Sequence, residues 1–357
     1  MNTYFIVIFV DRKLPQSVMK QPLHLIIDSA IPFLEGIFEP WARVTRLPGR
    51  DIGPGTAADA DALIIRTRTR CDERLLDAAP RLRLIATATI GFDHIDTEAC
   101  RRRGIRVATA AGCNARGVLQ WVAGVLVHLS RTQGWRPGER TLGIVGVGHV
   151  GSLVRQYAAA WGFSVVCCDP PRQARREPGT EGFMSVGEVA RQSDLITFHT
   201  PLDATTRHLC DDRLLQQLPG NAAVINASRG EVVDGTALLR SGRTFALDVW
   251  EHEPHIDPAL LAAAEVATPH IAGYSLQGKA NASALAVRAV AETFGLPLDT
   301  WYPGGIAPSR PQPVGWEALC ATIGSRFDCR AETARLKAAP EAFETLRDQY
   351  RYREEYF

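Results

Sequence analysis

No run of about 18 consecutive apolar residues occurs in the sequence, so no transmembrane helix is expected. Charge of one sign is also missing. Forty Lys and Arg stand against 39 Asp and Glu, a formal net charge of +1. Bulk electrostatics therefore give no reason to expect nucleic-acid or membrane binding. The eight cysteines form no C-x-x-C pair, and a chain of this length needs no disulfide staples. Reduced thiols and a cytoplasmic protein are the expectation. The adjacent Cys167 and Cys168 lie in an apolar strand-like run and read as core. No internal repeat and no low-complexity tract is present. The apolar start "TYFIVIFV" has no basic residue before it and no small-residue cleavage site after it, so it does not read as a signal peptide. Residues 1–18 read as an N-terminal extension: an extra strand, a tail, or sequence ahead of a start at Met19.

What is present is ample material for a core. The chain has 357 residues, 46% of them apolar, which suggests two or three domains. Apolar runs alternate with helical patterns. "LHLIID", "DALIIR", "LRLIATA" and "IRVATA" read as strands, with amphipathic stretches such as "CDERLLDAA" and "DTEACRRR" between them. This is the βαβ rhythm of a parallel sheet. A long apolar helix is expected at about 116–131. A second series follows: "TLGIVGVG", "FSVVCCD", "DLITFHT", "AAVINAS" and "TFALDVW". These are continuously apolar, as strands covered by helices on both faces should be. Another helix is expected at about 276–294, then a Pro- and Gly-rich linker over 297–314. The charged, aromatic tail reads either as a docking helix or as a partly disordered segment.

"GIVGVGHVG" holds Gly146-x-Gly148-x-x-Gly151 directly after an apolar strand and at the opening of a helical run. In that setting the glycines permit a tight turn and close approach of a pyrophosphate, and the helix N-terminus offers N–H groups to the anion. Asp169 ends the next strand, where a carboxylate accepts hydrogen bonds from adenosine ribose hydroxyls and disfavours the extra phosphate of NADP. A turn role for Asp169, before Pro170 and Pro171, is the competing reading. NAD is the cofactor expected.

Three ionisable residues stand where later strands should end: Arg229 after "VINAS", Glu253 in "ALDVWEHEP", and His270 after "VATP". Ligands of open α/β sheets bind at the carboxyl ends of strands, so chain order places the three near one crevice. They suit oxidation of a 2-hydroxy acid. A guanidinium holds the carboxylate, a histidine takes the hydroxyl proton, and a carboxylate beside the imidazole fixes its tautomer. His199, in "TFHTP", is the rival base but falls in the segment assigned to the cofactor wall. "HEPH" lacks the spacing of a zinc motif, and Pro254 disfavours the helix such a motif needs, so no metal is expected. "IRTRTR" alternates Arg with Thr, so Arg66, Arg68 and Arg70 would line one side of a strand end. Arg70 or Arg66, with Lys279 behind them, would meet a phosphate on the substrate; a solvated edge is the other reading.

Over about residues 22–295 the sequence resembles the D-isomer-specific 2-hydroxyacid dehydrogenase family, through "GIVGVGHVG", "DLITFHTPL", "NASRGEVVD", "ALDVWEHEP" and "TPHIAGYS" in that order. "IATATIGFDHID", "AAGCNARGVLQWV", "CCDPPR" and "HIAGYSLQGKA" are most similar to a branch that acts on a phosphorylated 2-hydroxy acid. The resemblance implies an α/β fold of two Rossmann-like parallel-sheet domains. These would be a discontinuous substrate domain (19–114 and 276–296) and an NAD-binding domain (115–275), followed by a linker and small C-terminal dimerisation segment (297–357) of a homodimer. It makes Arg229, Glu253 and His270 catalytic. It puts Gly146, Gly148, His149, Val150, Gly151, Asp169, Thr200, Ala227, Ser228, Arg229, Asp248 and Gly273 along the dinucleotide. Thr67, Thr89, Tyr274 and, for the phosphate, Arg70 would contact substrate. Gln120 departs from the acidic residue expected at its helix position, and the N-terminal extension has no counterpart. A related dehydrogenase of glycerate, hydroxypyruvate or phosphoglycerate, or an NAD(H)-sensing interaction protein, remain the alternatives.

Overall fold

The structure, a computed structural model, describes residues 22–357, so the extension expected over residues 1–18 lies outside the described residues. The chain divides into two compact units. One takes the residues up to Asn114 together with Gln277–Pro308; the other takes Ala115–Leu276 and Ser309–Phe357. The segment expected to stand apart at 297–357 is thus shared between them.

The first unit is built on a five-stranded parallel sheet: β1 (His24–Asp28), β2 (Arg43–Leu47), β3 (Ala62–Ile65), β4 (Leu84–Thr87) and β5 (Arg106–Thr109), in the order β2-β1-β3-β4-β5. Its central strands are buried along their whole length, which explains why they read as unbroken apolar runs rather than alternating ones. Strand β2 was not expected. It is an edge strand of sequence RVTRL whose residues are at most half-buried, so it carries no continuous apolar signal. The returning helix Leu276–Phe294 lays Ala286, Val287, Ala289 and Val290 on Leu25, Ile27, Ile64 and Leu84. Its Ala-rich face lets the helix approach the sheet closely.

The second unit holds a six-stranded parallel sheet: β6 (Thr141–Val145), β7 (Ser164–Cys168), β8 (Leu195–Phe198), β9 (Ala223–Asn226), β10 (Phe245–Leu247) and β11 (Val266–Ala267), in the order β11-β10-β9-β8-β6-β7. The strand order reverses at β6, which has β7 on one side and β8 on the other. In doubly wound sheets such a switch point opens the ligand crevice at the carboxyl ends. The helix Ala115–Gln133 is buried on nearly every face, as its all-round apolar sequence requires. Gly124 makes this possible, because a Cβ there would stand 2.7 Å from the Phe327 ring.

The tail is ordered against this second unit. Helices Trp316–Arg326, Cys329–Ala338 and Phe343–Asp348 precede an extended end. Phe357 reaches the core beside Tyr157 and Trp161. Cys167 and Cys168 lie buried in β7, and no disulfide forms among the described residues.

Candidate active site

The glycine-rich turn leaves the end of β6 and enters the helix His149–Trp161, as the motif requires. Gly146 takes φ +85°, a left-handed conformation open to glycine and little else. At Gly151 a Cβ would stand 2.0 Å from the Gly146 carbonyl oxygen, so only hydrogen lets helix and turn close on each other. A Cβ on Gly148 would meet nothing within 4 Å, which leaves open space at the helix N-terminus where His149 and Val150 begin. The Thr200 hydroxyl, just past β8, is buried without a hydrogen-bond partner in the described structure. Bare helix N–H groups, open space and an orphaned hydroxyl on the adjoining strand end fit a dinucleotide pyrophosphate.

Asp169 follows β7. One carboxylate oxygen accepts from Val147 N at 2.8 Å and the other from Arg172 N at 3.1 Å. It therefore braces the glycine turn and caps the short helix Pro170–Ala174. These contacts are those of the turn residue that the sequence offered as the competing reading. Arg172 is tied to Glu177 at 2.6 Å and to the Val147 carbonyl. After β9, Asn226 organises the "NASR" turn: its side-chain oxygen accepts from Ser228 N and Oγ, and its amide donates to Arg229 O. Ala227 and Ser228 form this turn, and Arg229 caps the 3-10 turn Gly230–Val232 while donating to the Ser228 carbonyl.

His270 and Glu253 meet. His270 Nδ1 lies 2.8 Å from Glu253 Oε2, while Glu253 Oε1 accepts from Trp250 N at 2.9 Å. A carboxylate can only accept, so Nδ1 carries the proton and Nε2 keeps its lone pair. Burial pushes the Glu253 carboxyl up, but the adjacent imidazole, its hydrogen bond, the Trp250 N–H and the Arg347 guanidinium outweigh it and hold Glu253 below the ordinary carboxylate range. His270 has φ +57°, a conformation uncommon outside glycine and held by its surroundings. Asp248 supplies them. It is fully buried and accepts from Thr268 Oγ1 at 2.6 Å, Ile271 N at 2.8 Å and Ala272 N at 2.9 Å. Burial raises its pKa, against the pull of His270 and these donors. Trp121 Nε1 donates to Thr268 Oγ1, and Trp250 Nε1 to the Thr268 carbonyl. The loop from Thr268 to Gly273 is thus bracketed by a buried carboxylate and two indoles.

His199 is different in kind. Burial pushes it down to about 3, and its Nε2 lies 3.1 Å from Thr197 Oγ1. It stays neutral and walls the glycine turn, its carbonyl lying 2.7 Å from where a Gly146 Cβ would be.

In the first unit, Thr89 Oγ1 pairs with Thr87 Oγ1 at 2.6 Å and donates to Gly91 O. Thr67 is exposed. The Arg70 side chain is 85% exposed and sits 3.8 Å from Asp72; Arg66 donates to Ala30 O at 3.3 Å. In the second unit, Tyr274 accepts from Arg347 Nε at 3.1 Å. Arg347 and Arg353 were not expected at the site. The Arg353 guanidinium is buried and donates to the carbonyls of Gly117, Ile271 and Ala272 and to Tyr350 Oη. It ties the tail to the loop carrying His270. No motif marks these arginines, because they come from a short, charged tail far along the chain from the loop they hold.

The model of the D-isomer specific 2-hydroxyacid dehydrogenase, NAD binding domain, matches residues 116–272. The chain belongs to the D-isomer-specific 2-hydroxyacid dehydrogenase family, and its second unit carries that family's NAD-binding domain. Among its curated relatives is erythronate-4-phosphate dehydrogenase of Bacteroides fragilis, 42% identical over 347 residues, covering 93% of this chain and 97% of that protein. Erythronate-4-phosphate dehydrogenase of Bacteroides thetaiotaomicron is 40% identical over 343 residues, with the same coverage of 93% and 97%. Among solved structures, NAD+-bound 3-phosphoglycerate dehydrogenase of Entamoeba histolytica aligns with a TM-score of 0.66 at 24% identity, over 79% of this chain and 99% of that one. That last likeness shows the fold, two parallel-sheet α/β units. No helix of the described residues is long and apolar enough to cross a membrane.

Proposed function

We propose that the protein oxidises 4-phospho-D-erythronate to (R)-3-hydroxy-2-oxo-4-phosphooxybutanoate with NAD, a step in making pyridoxal 5'-phosphate (vitamin B6). The observation that carries the chemistry is the His270–Glu253 pair at 2.8 Å, set beside the carboxyl edge of a dinucleotide-binding sheet. Identity of 42% over 93% of the chain to a protein named for this substrate supports its choice.

In this reading Arg229 holds the substrate carboxylate. His270 Nε2 takes the proton of the C2 hydroxyl, and Glu253 keeps the imidazole in the tautomer that leaves Nε2 free and stabilises the imidazolium that forms. Bound NAD supplies the hydride acceptor for the hydrogen on C2. Gly146, Gly148, His149, Val150, Gly151, Asp169, Thr200, Ala227, Ser228, Asp248 and Gly273 hold or shape the dinucleotide site. Thr67, Thr89, Tyr274 and Arg70 meet the substrate. The layout of a substrate domain (19–114, 276–296), an NAD domain (115–275) and a dimerising segment (297–357) belongs to the same proposal, as does a homodimer, which sedimentation would test. The absence of a disulfide among the described residues suits the reducing cytoplasm.

The test is a steady-state assay by NADH absorbance with 4-phosphoerythronate beside unphosphorylated erythronate, with and without a 2-oxo acid to reoxidise the cofactor. Strong preference for the phosphorylated acid is expected. Turnover of glycerate or another unphosphorylated acid alone would refute the substrate, and NADH binding without turnover of any acid would refute the enzyme.

A further inference from the structure

In doubly wound sheets a carboxylate ending the second strand accepts the adenosine ribose hydroxyls of NAD, while an arginine nearby accommodates the 2'-phosphate of NADP. The turn after β7 holds both residue types, Asp169 and Arg172, although the matched domain is an NAD-binding one. Each Asp169 oxygen accepts one backbone N–H and keeps a lone pair for a ribose hydroxyl. The Arg172 guanidinium lies on the same glycine turn. Its Nη1 donates to the Val147 carbonyl, and the Val147 amide donates to Asp169 Oδ2 at 2.8 Å. Carboxylate and guanidinium thus stand at the two ends of one residue of the turn, so a ribose that meets Asp169 brings its 2' position toward Arg172.

Glu177 occupies that arginine. Its Oε2 accepts from Arg172 Nε at 2.6 Å and its Oε1 from Arg175 Nε at 2.8 Å. The backbone fixes it in place. Glu177 N donates to the Arg172 carbonyl at 3.2 Å, and the Glu177 carbonyl accepts from Thr180 Oγ1 at 2.7 Å. Arg172 first, then Arg175, hold the Glu177 carboxyl below the ordinary carboxylate range, so it is ionised at neutral pH. A part-exposed ion pair adds little to stability, but this one cancels charge. Asp169 and Glu177 balance Arg172 and Arg175, which leaves the group of four no net attraction for a phosphate monoester of nearly two negative charges.

We propose that Glu177 sets a preference for NAD over NADP by holding Arg172 in an ion pair, so that the guanidinium is withheld from a 2'-phosphate. Glu177 is a positioning residue: it acts through Arg172 and does not touch the cofactor. The proposal rests on the dinucleotide lying at the glycine turn, as proposed above, and not on the identity of the substrate.

The variants are Glu177→Gln, Glu177→Asp and the double variant Glu177→Gln with Arg172→Gln, in the full chain and each checked by thermal melting. Fluorescence titration reads NADH and NADPH affinity, with 5'-AMP and adenosine 2',5'-bisphosphate as competitors. In Glu177→Gln the affinity for NADPH relative to NADH should rise roughly tenfold, about what one charge-assisted hydrogen bond supplies at a part-exposed site. The gain should shrink as salt is added. Glu177→Asp keeps the charge and should keep most of the parental ratio, and the double variant should lose the gain. A turn that merely loosened would weaken both cofactors together. That result, or an unchanged ratio in a folded Glu177→Gln, would overturn the proposal. So would a gain that survives in the double variant, because it would not pass through Arg172, and so would a parent that binds NADPH as tightly as NADH. If Glu177→Gln does not fold, Glu177→Ser is read by the same ratio. A parent that binds neither cofactor refutes the dinucleotide site and this proposal with it. A parent that binds NADH but turns over no phosphoerythronate defeats the proposed function alone, and the affinity ratio still decides the role of Glu177.

Discussion

Replacing Glu253 by Gln changes one oxygen to an amide nitrogen and almost nothing else, so it isolates the contact on which the chemistry depends. The carboxylate satisfies two donors at once, His270 Nδ1 at 2.8 Å and Trp250 N at 2.9 Å. A glutamine has one carbonyl oxygen, so one of these donors must face an NH2 group. If the backbone amide keeps the oxygen, the imidazole loses its acceptor and its preference for the Nδ1–H tautomer. A hydrogen bond to a charged group contributes about 1.5–3 kcal/mol, and each 1.36 kcal/mol is tenfold in rate. We therefore expect kcat for oxidation to fall roughly 10- to 150-fold, with NADH affinity near parental. The pH dependence has a definite sign. Glu253 is held below its ordinary value of 4.5, so its stabilising contribution is complete above that value and is lost as pH falls through the depressed one. The melting-temperature gap between parent and Glu253→Gln should be steady near neutrality and close below about pH 4.5. A variant whose kcat stays within about twofold of the parent, against the tenfold that 1.36 kcal/mol predicts, would refute the orienting role of this carboxylate.

Gly151→Ala would place a methyl 2.0 Å from a backbone oxygen; NADH fluorescence titration should show binding lost or greatly weakened, and a folded variant with parental affinity would contradict the close-approach argument. Arg353→Met leaves the buried carbonyls of Gly117, Ile271 and Ala272 without their donor, at about 1–3 kcal/mol each where no water replaces it. Melting should fall by several degrees and kcat with it, since the same loop carries His270. Burial pushes the thiols of Cys71, Cys210 and Cys329 up to about 12 and those of Cys100 and Cys168 to about 11. A thiol reagent on the native protein should modify the half-buried Cys320 first, and rapid labelling of several sites would contradict the buried core.

Much of this protein was legible in the chain. The alternation of apolar runs with helical patterns announced parallel sheets, because strands covered on both faces must be continuously apolar. The glycine spacing after a strand announced the dinucleotide turn, because only glycine fits φ +85° at position 146 and the close approach at position 151. Glu253 and His270 were found because strand ends are where ligands bind. Other features were set by tertiary structure alone. Strand β2 exists because β1 offers it an edge, since its own residues are too exposed to signal it. Asp248 becomes a buried bracket through bonds to residues twenty and more positions away. Arg347 and Arg353 join the site because the tail folds back onto the second unit. A contact between residues so far apart leaves no periodicity or spacing in the sequence; packing creates it, and packing is decided only when the whole chain has folded.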